Sequence, residues 1–132
     1  MQALVTRVGD RWCALPIEHV EETMRPLPIE AMAAMPAFVL GVAIIRGHAT
    51  PVVDAATLVG TTAQSRSRFV TLRVDGRRVA LLVDAVLDVR PLPPGELPPL
   101  VAGADMIASL GSLDRELLVV LDAARIVAEV PA

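Results

Sequence analysis

The sequence predicts an all-β fold of two small five-stranded β-barrels, each with a short helix after its second hairpin. The first observation behind this prediction is an internal repeat, because residues 7–22 return as residues 73–88, 66 positions later. The second is the alternation of apolar and polar residues over short segments, which is typical of strands. The third is a set of tight turns between these segments, such as Asp75-Gly76, whose residues tolerate the positive φ that two-residue hairpins need.

The repeat predicts one domain built from two similar halves. The chain has 132 residues, and units of half that length bury only about 60% of their surface. We therefore expect 1–132 to be a single domain in which a first barrel repeat (1–62) and a second barrel repeat (67–132) pack on each other. Residues 61–67 join the halves as a polar loop, and the proline-rich residues 91–99 form another loop.

The same order of elements is predicted in each half. A first hairpin turns at a glycine-aspartate pair, a third strand ends in prolines, and a second hairpin follows. An aspartate ends that second hairpin, at Asp54 and at Asp122, where its carboxylate suits the N-cap of a short helix. The predicted strands are 4–8, 12–17, 20–25, 40–46, 50–53, 68–74, 77–83, 86–90, 104–110 and 117–121.

The composition excludes several classes of protein. The chain is 54% hydrophobic and 20% charged, with a net charge of −3, so it lacks the basic face that nucleic acid needs. The one cysteine, Cys13, fits a reducing compartment, and on a predicted core strand we expect it to be a buried apolar side chain and not a nucleophile. The longest apolar run, 38–45, is too short for a membrane helix. We expect no secretion signal and no direct membrane insertion.

Residues that carry catalysis or bind metals are scattered along the chain. His19 and His48 lie in different segments, without cysteines or acids at ligand spacing, so no metal site is predicted. Ser65 and Ser67 lie in the polar loop and not at a strand-to-helix elbow, and the chain has no glycine-rich phosphate loop. We expect no catalytic residue and no cofactor, and infer a protein that binds the surfaces of other proteins.

Residues 38–54 resemble the signature of the CheW-like family, a phrase of the form G-V-x-x-x-R-G-x-x-x-P-V-x-D. Here the segment reads FVLGVAIIRGHATPVVD. Residues 12–20, 68–89 and 110–122 are similar to the opening, central and closing hairpins of the family. The resemblance therefore covers nearly the whole chain in the expected order.

The resemblance implies two SH3-like barrels around a shared apolar core, in an adaptor without enzymatic activity. It implies two partners, the regulatory domain of a CheA-type histidine kinase and the cytoplasmic helical tip of a chemoreceptor, with further CheW-like copies as additional partners. We expect a cytoplasmic protein that is recruited to receptor arrays at the membrane. Three alternatives stay open: an adaptor of another chemosensory pathway such as pilus-based motility, a piece of the kinase's own regulatory domain, and an unrelated enzyme or small-ligand barrel.

The resemblance also places part of a partner-binding site. Val20, Glu22 and Val86 on the third strands fall in the partner-contacting region. Gly41 falls at a contact between kinase and adaptor, where the missing side chain permits close backbone approach. The structural alternatives are core packing for the two valines and relief of a twist or bulge at Gly41.

Arg46 and Gly47 complete the predicted site. Arg46 ends an apolar strand just before the turn, so its guanidinium must reach solvent or find a fixed acceptor. One interpretation is a salt bridge or a carbonyl-bonded anchor for the turn, and the other is recognition of a partner, as the family implies. The family commonly has asparagine and leucine before this arginine, whereas the chain has Ile44-Ile45, which leaves open which receptor and kinase it serves.

Overall fold

The computed structural model describes residues 1–92 and 106–131. The all-β prediction is confirmed, because strands account for most of this part of the chain. None of its helices has the length and apolar character needed to cross a membrane. The elements are β1 (Gln2–Val8), β2 (Arg11–Pro16), a 3-10 turn (Ile17–His19), β3 (Val20–Met24), β4 (Val39–Ile45), β5 (His48–Asp54), α1 (Ala55–Val59), β6 (Arg68–Val74), β7 (Arg77–Val83), β8 (Ala85–Pro91), β9 (Ile107–Leu113), β10 (Glu116–Leu121) and α2 (Ala123–Glu129).

The observed strands agree with the predicted ones except at β9. That strand was predicted at 104–110, but it spans Ile107–Leu113, and residues 104 and 105 lie outside the described residues. Small residues such as Ser109 and Gly111 carry no strand signal, so the apolar pattern placed the strand too early. The predicted loop 91–99 lies outside the described residues from position 93 onward.

The ten strands form two five-stranded sheets that exchange strands between the halves of the chain. The order β8-β1-β2-β10-β9 defines the terminal sheet, and β3-β6-β7-β5-β4 defines the central sheet. β3 pairs with β6 and β8 pairs with β1, so neither 1–62 nor 67–132 forms a sheet of its own. The sequence leaves open whether strands exchange between the halves, and these pairs show that they do. The repeat boundaries themselves stay a prediction.

The internal repeat is visible in the strand register. Both third strands have an irregularity at the same place, at Glu21 in β3 and at Leu87 in β8. The parallel pairing of β5 with β7 has its counterpart in β10 with β2. Corresponding antiparallel pairs are Ala3–Pro16 and Phe69–Leu82, and Gly41–Val52 and Ser109–Val120.

The core has three parts, because both faces of each sheet carry apolar residues. A shared core lies between the sheets, with members from both sheets and both helices. A second cluster, with Phe69 and Leu82, lies on the other face of the central sheet. A third cluster, with Leu118 and Val120 and with Trp12 packed against it, lies on the other face of the terminal sheet. The largest fully buried side chains of the shared core are Leu15, Leu72, Leu81, Leu121 and Ile126.

Asp84, between β7 and β8, fixes the loop that joins the halves. Its buried carboxylate accepts hydrogen bonds from the backbone N–H groups of Gly9 (2.6 Å), Gln64 (3.0 Å), Ser65 (2.9 Å) and Arg66 (2.7 Å). Burial acts to raise the pKa of this carboxyl, but the four backbone N–H groups outweigh it and hold the pKa below its ordinary value. The ionised carboxylate therefore ties the β1–β2 turn and the loop to the end of β7.

The two predicted helix caps differ in their contacts. The Asp122 carboxylate accepts a hydrogen bond from the Arg125 N–H at 3.0 Å, which confirms this cap. Asp54 occupies the N-cap position of α1, but its carboxylate makes no hydrogen bond to the backbone there. It accepts the Thr57 hydroxyl at 2.9 Å and the Arg66 guanidinium at 3.3 Å instead. The prediction of a backbone cap at Asp54 was wrong: both side-chain donors bind Oδ2, and the buried Oδ1 has no hydrogen-bond partner among the described residues.

Candidate partner-binding site

The structure brings together Glu22 and Arg46, two residues 24 positions apart in the sequence. Arg46 Nε donates to Glu22 Oε1 at 2.9 Å, and Arg46 Nη2 donates to Glu22 Oε2 at 2.7 Å. The hydrogen bond from Arg46 holds the pKa of Glu22 below its ordinary value, and Glu22 raises the pKa of Arg46. The salt bridge foreseen as the structural interpretation of Arg46 is thus present, with the two-pronged geometry that arginine favours with carboxylates.

This ion pair connects the two edges of the central sheet. Glu22 lies on β3 at one edge, and Arg46 lies in the turn after β4, the strand at the other edge. Arg46 and Gly47 form this turn with φ values of 49° and 80°, which matches a tight two-residue hairpin. The sheet must curl for the pair to form, so the ion pair closes the sheet at this end.

The ion pair remains accessible to another protein. The Arg46 side chain is 74% exposed and that of Glu22 is 30% exposed. Exposed pairs of this kind contribute little to stability. The geometry therefore leaves Arg46 free to exchange or share its acceptor at small cost, and the recognition role stays a prediction.

The structure explains why position 41 is a glycine. Its φ is +151°, and a Cβ atom here would lie 2.2 Å from the carbonyl oxygen of Glu30. Glu30 and the neighbouring Val42 exchange two backbone hydrogen bonds of 2.8 and 2.9 Å, and β4 has its register shift at this point. The glycine permits close backbone approach, as predicted, but the approaching segment belongs to the same chain. A contact with the kinase at Gly41 stays a prediction.

Val20 and Val86 occupy equivalent places in the two sheets. Val20 lies opposite Leu72, and Val86 lies opposite Thr6. Both valines are half-buried and pack against the shared core, so the core-packing interpretation is correct for part of each side chain. Each valine lies on an edge strand of its sheet.

A cavity of about 400 Å³ opens beside the ion pair. The sequence analysis named only two of its lining residues as site residues, Glu22 and Arg46. The internal repeat could have indicated some of the other lining residues. Thr50 and Arg78, for example, are polar where the other copy of the repeat has the apolar Leu118 and Trp12. The cavity is lined by Glu21, Glu22, Ile45, Arg46, His48, Thr50, Thr71 and Arg78.

The one cysteine of the chain, Cys13, does not line the cavity. Cys13 is fully buried in the shared core, as expected. Desolvation by this burial raises the pKa of its thiol to about 12, against the weaker opposing effect of Arg11 and Arg7. At neutral pH the thiol is therefore protonated and not nucleophilic. Among the described residues, no group of three histidine, cysteine or acidic side chains is placed to hold a metal ion.

Two exchanged five-stranded sheets with a cavity and an exposed ion pair at one sheet's end define a small all-β binding domain. Residues 2–130 match the model of the CheW-like domain, and the chain belongs to this family.

The relatives that it matches are chemotaxis proteins. The chain is 36% identical over 91 residues to the chemotaxis protein CheW of Rhizobium meliloti (strain 1021) and to the probable chemotaxis protein CheW of Rhizobium etli. These matches cover 67% of this chain and 59% of each relative. Among solved structures, the scaffolding protein TtCheW from Thermoanaerobacter tengcongensis has a similar fold, with a TM-score of 0.77 and 24% identity over 91% of this chain and 87% of the other.

Proposed function

We propose that this protein is a non-enzymatic adaptor that couples chemoreceptors to a CheA-type histidine kinase in bacterial chemotaxis. It binds the regulatory domain of the kinase with one surface and the cytoplasmic tip of the receptor with another. Family membership supports this role, and the relatives named above carry chemotaxis names. The adaptor works in the cytoplasm and is recruited to receptor arrays at the membrane, where further CheW-like copies bind beside it.

The single observation that carries the proposal is the exposed Glu22–Arg46 pair at one end of the central sheet. Two residues selected as partner contacts from the sequence lie within hydrogen-bonding distance of each other. A guanidinium that is 74% exposed presents unused N–H donors to an incoming protein. Val20, on the same strand as Glu22, adds an apolar contact next to this polar group, and Val86 adds the equivalent contact on the terminal sheet.

The first test is reconstitution with a CheA-type kinase and a chemoreceptor cytoplasmic fragment. We expect the wild-type chain to form a ternary complex and to change the rate of kinase autophosphorylation. Arg46→Ala should weaken binding of at least one partner by about tenfold or more, which corresponds to about 1.4 kcal/mol. Arg68→Ala is the matched control, because Arg68 is an exposed arginine of the same sheet whose side chain, among the residues that the structure describes, bonds only the Ser67 carbonyl.

A charge exchange separates recognition from support of the fold. The double variant Glu22→Arg with Arg46→Glu can rebuild the internal ion pair while it reverses the charge offered to a partner. If Arg46 recognises a partner, the double variant folds but binds no better than Arg46→Ala. Full recovery of binding would show that Arg46 acts only by holding Glu22.

The same surface would serve an adaptor of another chemosensory pathway, such as one that controls pilus-based motility. The kinase that co-purifies with the chain from its own cells distinguishes these pathways. Failure to bind any CheA-type kinase or receptor fragment in the reconstitution would overturn the adaptor role itself.

A further inference from the structure

We propose that residues 28–34 form a strap that covers the free edge of β4 and prevents a second copy of this chain from adding its own β4 there. The inference concerns the protein on its own and does not depend on the function proposed above. It stands on the contacts of Glu30, on the glycine at position 41 and on the composition of β4.

The strap is an exposed segment that pairs with the sheet through one residue. Every residue of 28–34 is exposed. The Glu30 N–H donates to the Val42 carbonyl at 2.8 Å, and the Val42 N–H donates to the Glu30 carbonyl at 2.9 Å, as an isolated bridge. Leu27 before the strap and Met35 after it pack against the apolar clusters. The strap is therefore fastened at both ends and held to β4 in between by the hydrogen bonds of Glu30.

Gly41 admits the strap to the edge of β4. Its φ is +151°, and a Cβ atom there would collide with the Glu30 carbonyl group and lie 3.0 Å from the Cα atom of Ala31. The nearest atoms all belong to the strap, so the strap, and not the packing of the sheet, excludes a side chain at this position. The register of β4 with β5 shifts at the same place. In this strand a side chain and a regular register are absent where the strap lies against it.

The sequence of β4 does not protect its own edge. A free strand edge presents unpaired N–H and C=O groups, and natural proteins protect such edges with charges, with prolines or with a covering segment. Two other edge strands carry charges, which are Glu21 and Glu22 in β3 and Asp88 and Arg90 in β8. β4 reads VLGVAII, without a charge or a proline. Its protection therefore has to come from another segment.

A second β4 is the occupant that fits an uncovered β4. Ile44 lies two residues beyond Val42, so the alternation of a strand points its backbone N–H and C=O to the same free side. The Ile44 side chain is 62% exposed. Two copies of an uncharged strand can pair antiparallel without like charges opposite each other, and this symmetric contact closes as a dimer. The Glu30 bridge occupies the middle of this edge and blocks such pairing.

Glu30→Pro tests the strap directly. Proline has no N–H, so the hydrogen bond to the Val42 carbonyl is lost. We expect the dissociation constant of the dimer, measured by sedimentation velocity across a series of protein concentrations, to fall at least about tenfold below that of the wild type. Ala33→Pro is the matched control, because Ala33 precedes a turn residue, Ala34, with a φ of 61°, and proline suits that position. This control should associate no more than the wild type.

A charge on the edge separates strand pairing from unspecific association. Ile44→Lys, added to Glu30→Pro, places a charge beside the uncovered edge, where lysine opposes the addition of a strand. The double variant should return to the self-association of the wild type. A dimer that tolerates this lysine does not form through β4, and the proposal then fails.

Gly41→Ala releases the strap by a different route, because its Cβ would collide with the Glu30 carbonyl group. It should self-associate as Glu30→Pro does, and Ile44→Lys should reverse this association in the same way. Circular dichroism shows which variants keep the β fold. A folded Glu30→Pro or Gly41→Ala variant that stays monomeric at every concentration overturns the proposal.

The wild-type protein offers a measurement that does not depend on the folding of any variant. Amide hydrogen exchange, corrected for the intrinsic rates, should be at least about tenfold slower at Val42, whose N–H is bonded to Glu30, than at Ile44 on the same side of β4. Equal exchange at the two amides would show that the strap leaves the edge open, which also overturns the proposal. The adaptor role is tested separately by the reconstitution described above.

Discussion

Replacing Asp84 by asparagine should destabilise the fold strongly, because a single carboxylate satisfies four backbone N–H groups. Asparagine keeps one accepting oxygen and places an NH₂ group against the remaining donors. If the amide oxygen takes the place of Oδ1, the Gly9 contact is lost; if it takes the place of Oδ2, the contacts of Ser65 and Arg66 are lost. A hydrogen bond to a charged group contributes about 1.5–3 kcal/mol. Gln64, Ser65 and Arg66 lie in an exposed loop, so water recovers part of this loss, and we expect a net cost of about 2–4 kcal/mol.

The assay for Asp84→Asn is unfolding in denaturant, followed by the fluorescence of Trp12 and by circular dichroism. Trp12 is the one tryptophan of the chain and lies on the terminal sheet, two strands from β8. Asp75→Asn is the control, because Asp75 lies in an exposed turn with a φ of 50°, which asparagine tolerates. A cost below about 0.5 kcal/mol for Asp84→Asn, equal to that of an ordinary surface substitution, would refute the reasoning.

Lowering the pH should remove the stabilisation that the Asp84 carboxylate provides. The folded state holds the pKa of Asp84 below its ordinary value of 3.8, so the folded form binds a proton less readily than the unfolded form. The stabilisation is therefore fully present above pH 3.8 and is lost as the pH falls through the lower, folded-state pKa. The difference in stability between the wild type and Asp84→Asn should shrink over this acidic range. A difference that stays constant from neutral pH down to pH 2 would contradict an ionised clamp.

Two further predictions concern Gly41 and Cys13. Gly41→Ala should lower the free energy of unfolding by at least about 2 kcal/mol, because its Cβ would meet the Glu30 carbonyl at 2.2 Å in a backbone region closed to other residues. Gly60→Ala is the control, and because it has open space around it it should cost only about 1–2 kcal/mol. Equal losses of stability for the two variants in denaturant unfolding would speak against the close approach. Cys13 should react with a thiol reagent only as fast as the protein unfolds, because it is buried and burial raises its pKa to about 12. Rapid labelling of the native protein would contradict this and would show that the shared core opens locally.

Hairpins could be predicted from the sequence, but the pairing of the sheets could not. Turn pairs such as Asp75-Gly76 and alternating apolar residues act over a few positions, and they fixed the first hairpin of each half. The destination of a third strand depends on contacts far along the chain. β3 pairs with β6, 49 positions away at Glu22 and Thr71, and nothing local distinguishes this from pairing within its own half.

The same limit applies to the candidate site, where single residues could be predicted but their contacts could not. Glu22 and Arg46 were each identified from the sequence, but their two hydrogen bonds depend on the curl of the central sheet. Thr50 and Arg78 escaped because a threonine on a strand and an arginine after a turn are ordinary in sequence. Their position in the wall of the cavity appears only once the central sheet is folded. A close backbone approach was predicted at Gly41, and one occurs there. The approaching backbone is that of Glu30 in the same chain, whereas the prediction was a contact with the kinase.

The central sheet occupies one continuous stretch, Val20–Val83, whereas the terminal sheet joins strands from before and after it. As the chain leaves the ribosome, all five strands of the central sheet are available while β9 and β10 are still being made. The β1–β2 hairpin must wait for them with one edge of β2 unpaired, and an unpaired edge is a site for aggregation. Premature termination before β10 would therefore leave a half-closed molecule with an open strand edge, which quality-control proteases and chaperones can recognise.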